Sequence, residues 1–133
     1  MAKRIKSKLA KEMMKECIEE RFYSTKEDVD KWFTIINREI FGNTIIPFKK
    51  IEIRRRRGCW GECFGYLRKN GDKYCTLSLN HYHRSKKHFI EVLAHECVHA
   101  YQWIYEDVMN HEMTFLTWKT AFNNHHIRLS TSS

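Results

Sequence analysis

Apolar residues recur every three to four positions toward both ends of the chain and every second position in its middle. Ile5, Leu9, Met13, Cys17 and Ile18 share one stripe, which predicts an amphipathic helix over 3–22. Its lysines precede its glutamates. That order opposes the helix dipole, so the segment either frays or is held by something anionic. Val29, Phe33, Ile36 and Ile40 form a second stripe beside Trp32, a helix from Ser24 to Phe41. Ser24 with Glu27 makes a capping box at its start, and Gly42 suits its end. Pro47 then turns the chain into an extended region.

In the middle the period shortens to two. Ile51 and Ile53 alternate with polar neighbours, as do Leu77 and Leu79, and Asn70-Gly71 is a hairpin signal after Phe64 and Tyr66. Strands are expected at 49–55, 62–69 and 73–80. Helical spacing returns with Phe89, Val92, Leu93, Cys97 and Ala100, a helix over 86–105 capped by Ser85. Phe115, Trp118 and Phe122 give a fourth over 111–123, capped by Asn110. The pattern predicts one α+β domain over 24–123, its helices packed on a small, three-stranded, mainly antiparallel sheet. An N-terminal helix (1–23) precedes it, and a loose polar tail (124–133) follows.

Composition changes this picture mainly through charge. The 133 residues carry 24 Lys+Arg and 16 Asp+Glu, a net charge of +8. Residues 1–48 balance at +2, residues 49–88 at +9 and residues 89–133 at −3. An excess confined to one third of the chain points to a polyanion partner. No run approaches the roughly 18 apolar residues of a membrane span, and the N-terminus lacks an apolar signal-peptide core. The chain is therefore expected to be intracellular (cytoplasm or nucleoid), not secreted, without a membrane partner, and monomeric. Its five cysteines are then thiols or ligands, not a disulfide framework.

Chemistry concentrates in His95-Glu96-Cys97-Val98-His99, an HExxH pattern inside the third helix. Residues four apart lie on one helix face, so His95 and His99 can offer two imidazole nitrogens to one ion. Glu96 beside them can serve a water as general base. A catalytic zinc takes three protein ligands and keeps one position open. A metzincin-like pattern needs Gly and His where Gln102 and Tyr105 stand, and a gluzincin-like site needs Glu near Lys119. Glu112 is closer but sits beside a better candidate, His111, which a returning helix can bring to the pair. His95, His99 and His111 make an N₃ set that favours a single Zn²⁺. The spacing is HExxH-x11-H, and a sheet with such a helix is zincin-like. Tyr101, Tyr105 and His125 are candidates to stabilise an oxyanion. Cys59, Cys63 and Cys75 with His81 and His83 form a second candidate group, read as small buried thiols because no CxxC pair is present.

The basic third contains Arg54, Arg55, Arg56 and Arg57, followed by Trp60, Arg68 and Lys69. With Phe64 and Tyr66, Trp60 offers aromatic surface for unpaired bases, so this stretch predicts salt-sensitive contact with single-stranded or junction DNA.

These residues together resemble the SprT-like metallopeptidases, the family that includes the Spartan proteases of DNA–protein crosslink repair. The resemblance runs from about Thr25 to Phe122. It is carried by Phe41-Gly42-Asn43, Leu77-Ser78-Leu79-Asn80, Leu93 through Tyr101, His111, and Phe115 four residues later. It implies a zinc-dependent endopeptidase acting on DNA-associated proteins, with His95, His99 and His111 as ligands, Glu96 as base, and an extended peptide beside the sheet. The chain departs from relatives in placing Asn110 and Glu112, not Gly, around the third histidine. Two other functions fit the same residues: a DNA-binding adaptor with a structural zinc, and a peptidase with no link to nucleic acid.

Overall fold

A computed structural model describes residues 7–15 and 20–130. Helix α1 (Lys8–Met13) is followed by strand β1 (Phe22–Tyr23) and helix α2 (Lys26–Glu39). Strands β2 (Lys50–Arg54), β3 (Gly61–Leu67), β4 (Lys73–Asn80) and β5 (Tyr82–His83) come next. The long helix α3 (Lys86–Glu106) and two short helices, α4 (Met113–Leu116) and α5 (Lys119–Asn124), complete the order. Among the described residues no helix is long and apolar enough to cross a membrane.

The first helix is shorter than its stripe suggests. Leu9 and Met13 are buried as expected, while Ile5, Cys17 and Ile18 lie outside the described residues. Phe22 and Tyr23 are not helical but pair with His83 and Tyr82. The anion that holds the start of α1 is Glu39, whose carboxylate accepts from Lys8 N at 2.6 Å and Leu9 N at 3.4 Å. Thr25, not Ser24, caps α2 in a reciprocal box with Asp28. Ser24 is occupied elsewhere: its hydroxyl donates to Asn80 O and its amide to His81 O.

The three longer strands lie in the order β2-β4-β3. β3 and β4 form the predicted hairpin, antiparallel from Gly61↔Leu79 to Leu67↔Lys73. β2 pairs with β4 in parallel, from Lys50↔Thr76 to Arg54↔Asn80. The sheet is thus mixed, not mainly antiparallel. Its centre is the last of the three strands in sequence, so the 55–60 connection must cross the end of β4 from one edge to the other. Asn80 anchors that crossing, donating its amide to Trp60 O and accepting Arg56 N on its side chain. Gly58, at φ +84°, makes the turn within it.

Alternation divides the sheet into two faces. Leu77, Leu79, Cys63 and Cys75 are buried toward α3. Two glycines let α3 approach β3 closely. A Cβ on Gly61 would lie 2.8 Å from Leu79 and 3.1 Å from Val92, and one on Gly65 would lie 2.6 Å from the Trp103 ring. On its other side α3 packs against α2, so its central turns are buried all round. The fourth predicted helix is broken into α4 and α5. The segment after it is not loose: Ile127 and Leu129 are buried in the same core as Phe89, Phe115 and Phe122.

Candidate metal centre

Ser85 caps α3 by accepting His88 N, and the helix runs unbroken to Asp107, whose left-handed conformation (φ 57°) ends it. His95 and His99 therefore sit one turn apart on one face. The chain then returns, and His111, just ahead of α4, closes the group. The three Nε2 atoms form a near-equilateral triangle: His95 to His99, His99 to His111 and His111 to His95 are each 3.1 Å. The Phe115 ring packs against all three imidazoles at 4.9–5.2 Å between centroids.

The other ring nitrogens fix the protons. His95 Nδ1 is 2.6 Å from the carbonyl oxygen of Ser130. A carbonyl only accepts, so Nδ1 carries the hydrogen. His99 Nδ1 lies 2.9 Å from Gln102 Oε1. That oxygen also accepts Asn110 N at 3.3 Å, while Gln102 Nε2 donates to Thr114 Oγ1 at 3.0 Å. The amide orientation is thus set from both ends, and His99 Nδ1 must donate too. Burial holds both imidazoles neutral, aided at His95 by the neighbouring His99; the His95 value falls to about 4 and that of His99 is lowered. Each then presents a bare lone pair at Nε2, two of them 3.1 Å apart with no proton between. Such an arrangement is repulsive unless a cation accepts both pairs, and neutral imidazoles with anchored Nδ1–H groups are what metal ligation requires. The residues present fit a metal ion.

A cavity of 230 Å³ opens in front of this triangle, lined by Gly61, Glu62, Cys63, Glu96, Met109 and Asn110 with the three histidines. Glu96 is 2 % exposed. Edge strand β3 forms the opposite wall. Behind His95 lies a separate cavity of 350 Å³ between Trp60, Arg84, His88, Glu91, Arg128 and Ser130.

The three proposed oxyanion stabilisers lie elsewhere. Tyr105 donates its hydroxyl to Thr44 O, His125 Nδ1 bonds Ser7 Oγ, and Tyr101 packs among Phe41, Tyr105 and Trp118. The cysteine group does not assemble: among the described residues only His95, His99 and His111 converge as a metal-ligand set. Cys63 and Cys75 are buried thiols, and the hydrogen bond with Cys75, with burial adding to it, pushes the Cys63 value far up.

The basic strip divides. Strand β2 ends at Arg54, so Arg55, Arg56 and Arg57 lie in the crossing connection. Arg54, Arg55, Arg57, Arg68 and Lys69 are exposed. The Arg56 side chain is 9 % exposed and engaged by Glu62, Ser78 and Cys59. Trp60 is half-buried among Tyr82, His83 and His88.

Sequence reasoning missed Gln102, Thr114 and Ser130. Gln102 carried a signal, three residues after His99 on the same helix face. Ser130 carried a fainter one, the alternation of Ile127 and Leu129 just before it.

Comparison with curated proteins and with solved structures gives no significant match. The SprT-like family matches over residues 29–133, which takes in most of α2 and everything from β2 through α5. With that match over most of its length, the chain belongs to the SprT-like family, which is associated with metallopeptidase activity.

Proposed function

We propose that this protein is a zinc-dependent endopeptidase with a zincin-like active site, acting on proteins associated with DNA. The observation that carries the hydrolytic part is the pair of anchored lone pairs at His95 and His99, completed by His111 and facing a cavity that also contains Glu96. Three histidines leave one coordination position for water, whereas structural zinc sites are commonly closed by four ligands with Cys prominent.

His95, His99 and His111 would hold the ion. When bound, zinc supplies Lewis acidity, polarising a carbonyl oxygen and bringing the pKa of water to about 7. The protein's own residues supply the rest. Glu96, adjacent to His95 on α3, takes a proton from the attacking water and returns it to the leaving amine. Ser130 O and Gln102 Oε1 hold the ligand tautomers. The outer edge of β3 can align an extended substrate chain by strand addition. Buried Phe115 excludes solvent behind the histidines.

The DNA-associated setting is supported by the +9 balance of residues 49–88 and the exposure of Arg54, Arg55, Arg57, Arg68 and Lys69. The test pairs zinc quantification with cleavage of a DNA-binding protein, with and without single-stranded DNA. Glu96→Gln should keep its zinc and lose roughly 10²- to 10⁴-fold in rate. An unchanged rate removes Glu96 from the mechanism. DNA stimulation of the wild type is expected, and its absence returns the enzyme to a peptidase with no nucleic-acid link.

A further inference from the structure

The sheet face opposite α3 presents Phe64 and Tyr66 from β3 and Tyr74 and Thr76 from β4. The residues that pack from α3, Val92 and Trp103, reach the other face. Tyr66 stays 43 % exposed. Its ring stacks on that of Tyr74 at 5.1 Å between centroids and 14° between planes. Two cations lie over Tyr74, Lys49 Nζ at 4.6 Å and Arg68 Cζ at 5.0 Å from the ring centroid. A depression of 170 Å³ between Lys50, Glu52, Phe64, Tyr66 and Thr76 continues the aromatic surface toward β2. Glu52 is paired with Lys50 and Arg54 and Glu62 with Arg56, while Asp72, which lines a cavity with Lys49, Arg68 and Tyr74, accepts from Asn70 Nδ2. Lys49 and Arg68 have no carboxylate partner among the ion pairs of the described residues.

A sheet face with the exposed Tyr66 ring, half-buried Phe64 beside it, and Lys49 and Arg68 free of carboxylate partners among the described residues suits a ligand with stackable faces and regularly spaced negative charge. We infer that this face binds single-stranded DNA, with bases stacking over Tyr66 and Phe64 and phosphates running along Lys49, Lys50 and Arg68. Duplex DNA, whose bases are already stacked, gains nothing from the rings. The inference rests on the nucleic-acid part of the proposed function and is independent of the hydrolytic part. It relocates the contact from the arginine run to the open sheet. Because β3 has Phe64 and Tyr66 on this face while Gly61, Glu62 and Cys63 line the metal cavity, the DNA track and the proposed peptide cleft share one strand.

Fluorescence anisotropy of a labelled single-stranded oligonucleotide tests it, using the full chain and the variants Tyr66→Ala, Arg68→Ala and Lys50→Glu. Zinc content and circular dichroism are measured on the same preparations and should match the wild type. Tyr66→Ala should bind about 10- to 100-fold more weakly, the range expected for one lost base stack. Arg68→Ala should lower the slope of log K against log salt by about 0.7, one phosphate contact on a single strand. If the wild type binds and these folded variants bind equally well, the placement is wrong while DNA association stands. A wild type that does not bind at low salt overturns both. Equal affinity for a duplex of the same sequence overturns the stacking mode. A dimer that Tyr66→Ala dissociates, with DNA binding unchanged, would assign the face to a second copy of the chain instead.

Discussion

His95 and His99 owe their readiness for a metal to acceptors outside the HExxH motif. Gln102 is fully buried and joins His99, Thr114 and the Asn110 amide through one side chain. Gln102→Ala removes the acceptor that fixes the His99 tautomer, and loss of such a partner typically costs 10- to 100-fold in metal affinity. Chelator competition should show a loss of about that size. An unchanged affinity would show that the ring is oriented by packing on Phe115 alone. At this scale the shared face of His95 and His99 was legible in the sequence, because a helix puts residues four apart one above the other. Ser130 was signalled only by the alternation of Ile127 and Leu129 before it, since a backbone carbonyl has no residue signature. The burial of Arg56 was not legible for a related reason: its neighbours Ser78 and Glu62 become neighbours only when the strands pair.

The hairpin β3-β4 and helix α3 follow from local rules, a two-residue turn signal and a capped apolar stripe. The parallel pairing of β2 with β4 follows from none, because β2 and the centre of the sheet are separated in sequence by the whole of β3. The fourth helix was read through its break because Phe115, Trp118 and Phe122 keep a helical spacing on either side of Thr117. Helix α3 comes close to β3 at Gly65. Gly65→Ala puts a methyl into the Trp103 ring, which also donates Nε1 to Tyr66 O at 3.2 Å. Overpacking of this kind costs about 1–3 kcal/mol. Urea denaturation should show a lower midpoint with unchanged slope, and equal stability would mean that the tryptophan swings aside without penalty.

For the whole molecule, several buried imidazoles impose a common pH dependence. Burial lowers His83, His88 and His95 to about 4, with like charges nearby adding to the effect. In the unfolded chain these groups titrate at their ordinary value of 6.5. Below that pH the unfolded chain binds protons that the folded one does not, so stability falls as pH drops from 6.5 toward 4 and is fully present above 6.5. Urea midpoints of the metal-free protein should be level from pH 8 to 7 and decline steadily between 6.5 and 4. A flat profile through that window would mean that these rings are solvated in the native state.

The 2.6 Å bond between Ser130 O and His95 also has a thermodynamic meaning. If docking of residues 127–130 favours metal binding at His95, the metal must favour that docking by the same factor, because coupling between two binding events is reciprocal. The exposed Arg128, flanked by buried Ile127 and Leu129, makes this readable with trypsin. Cleavage after Arg128 should be slow with zinc and accelerate on chelation, so that the end of the chain reports whether the centre is loaded. Equal rates in both states would show that the carbonyl orients the ring without coupling the two sites.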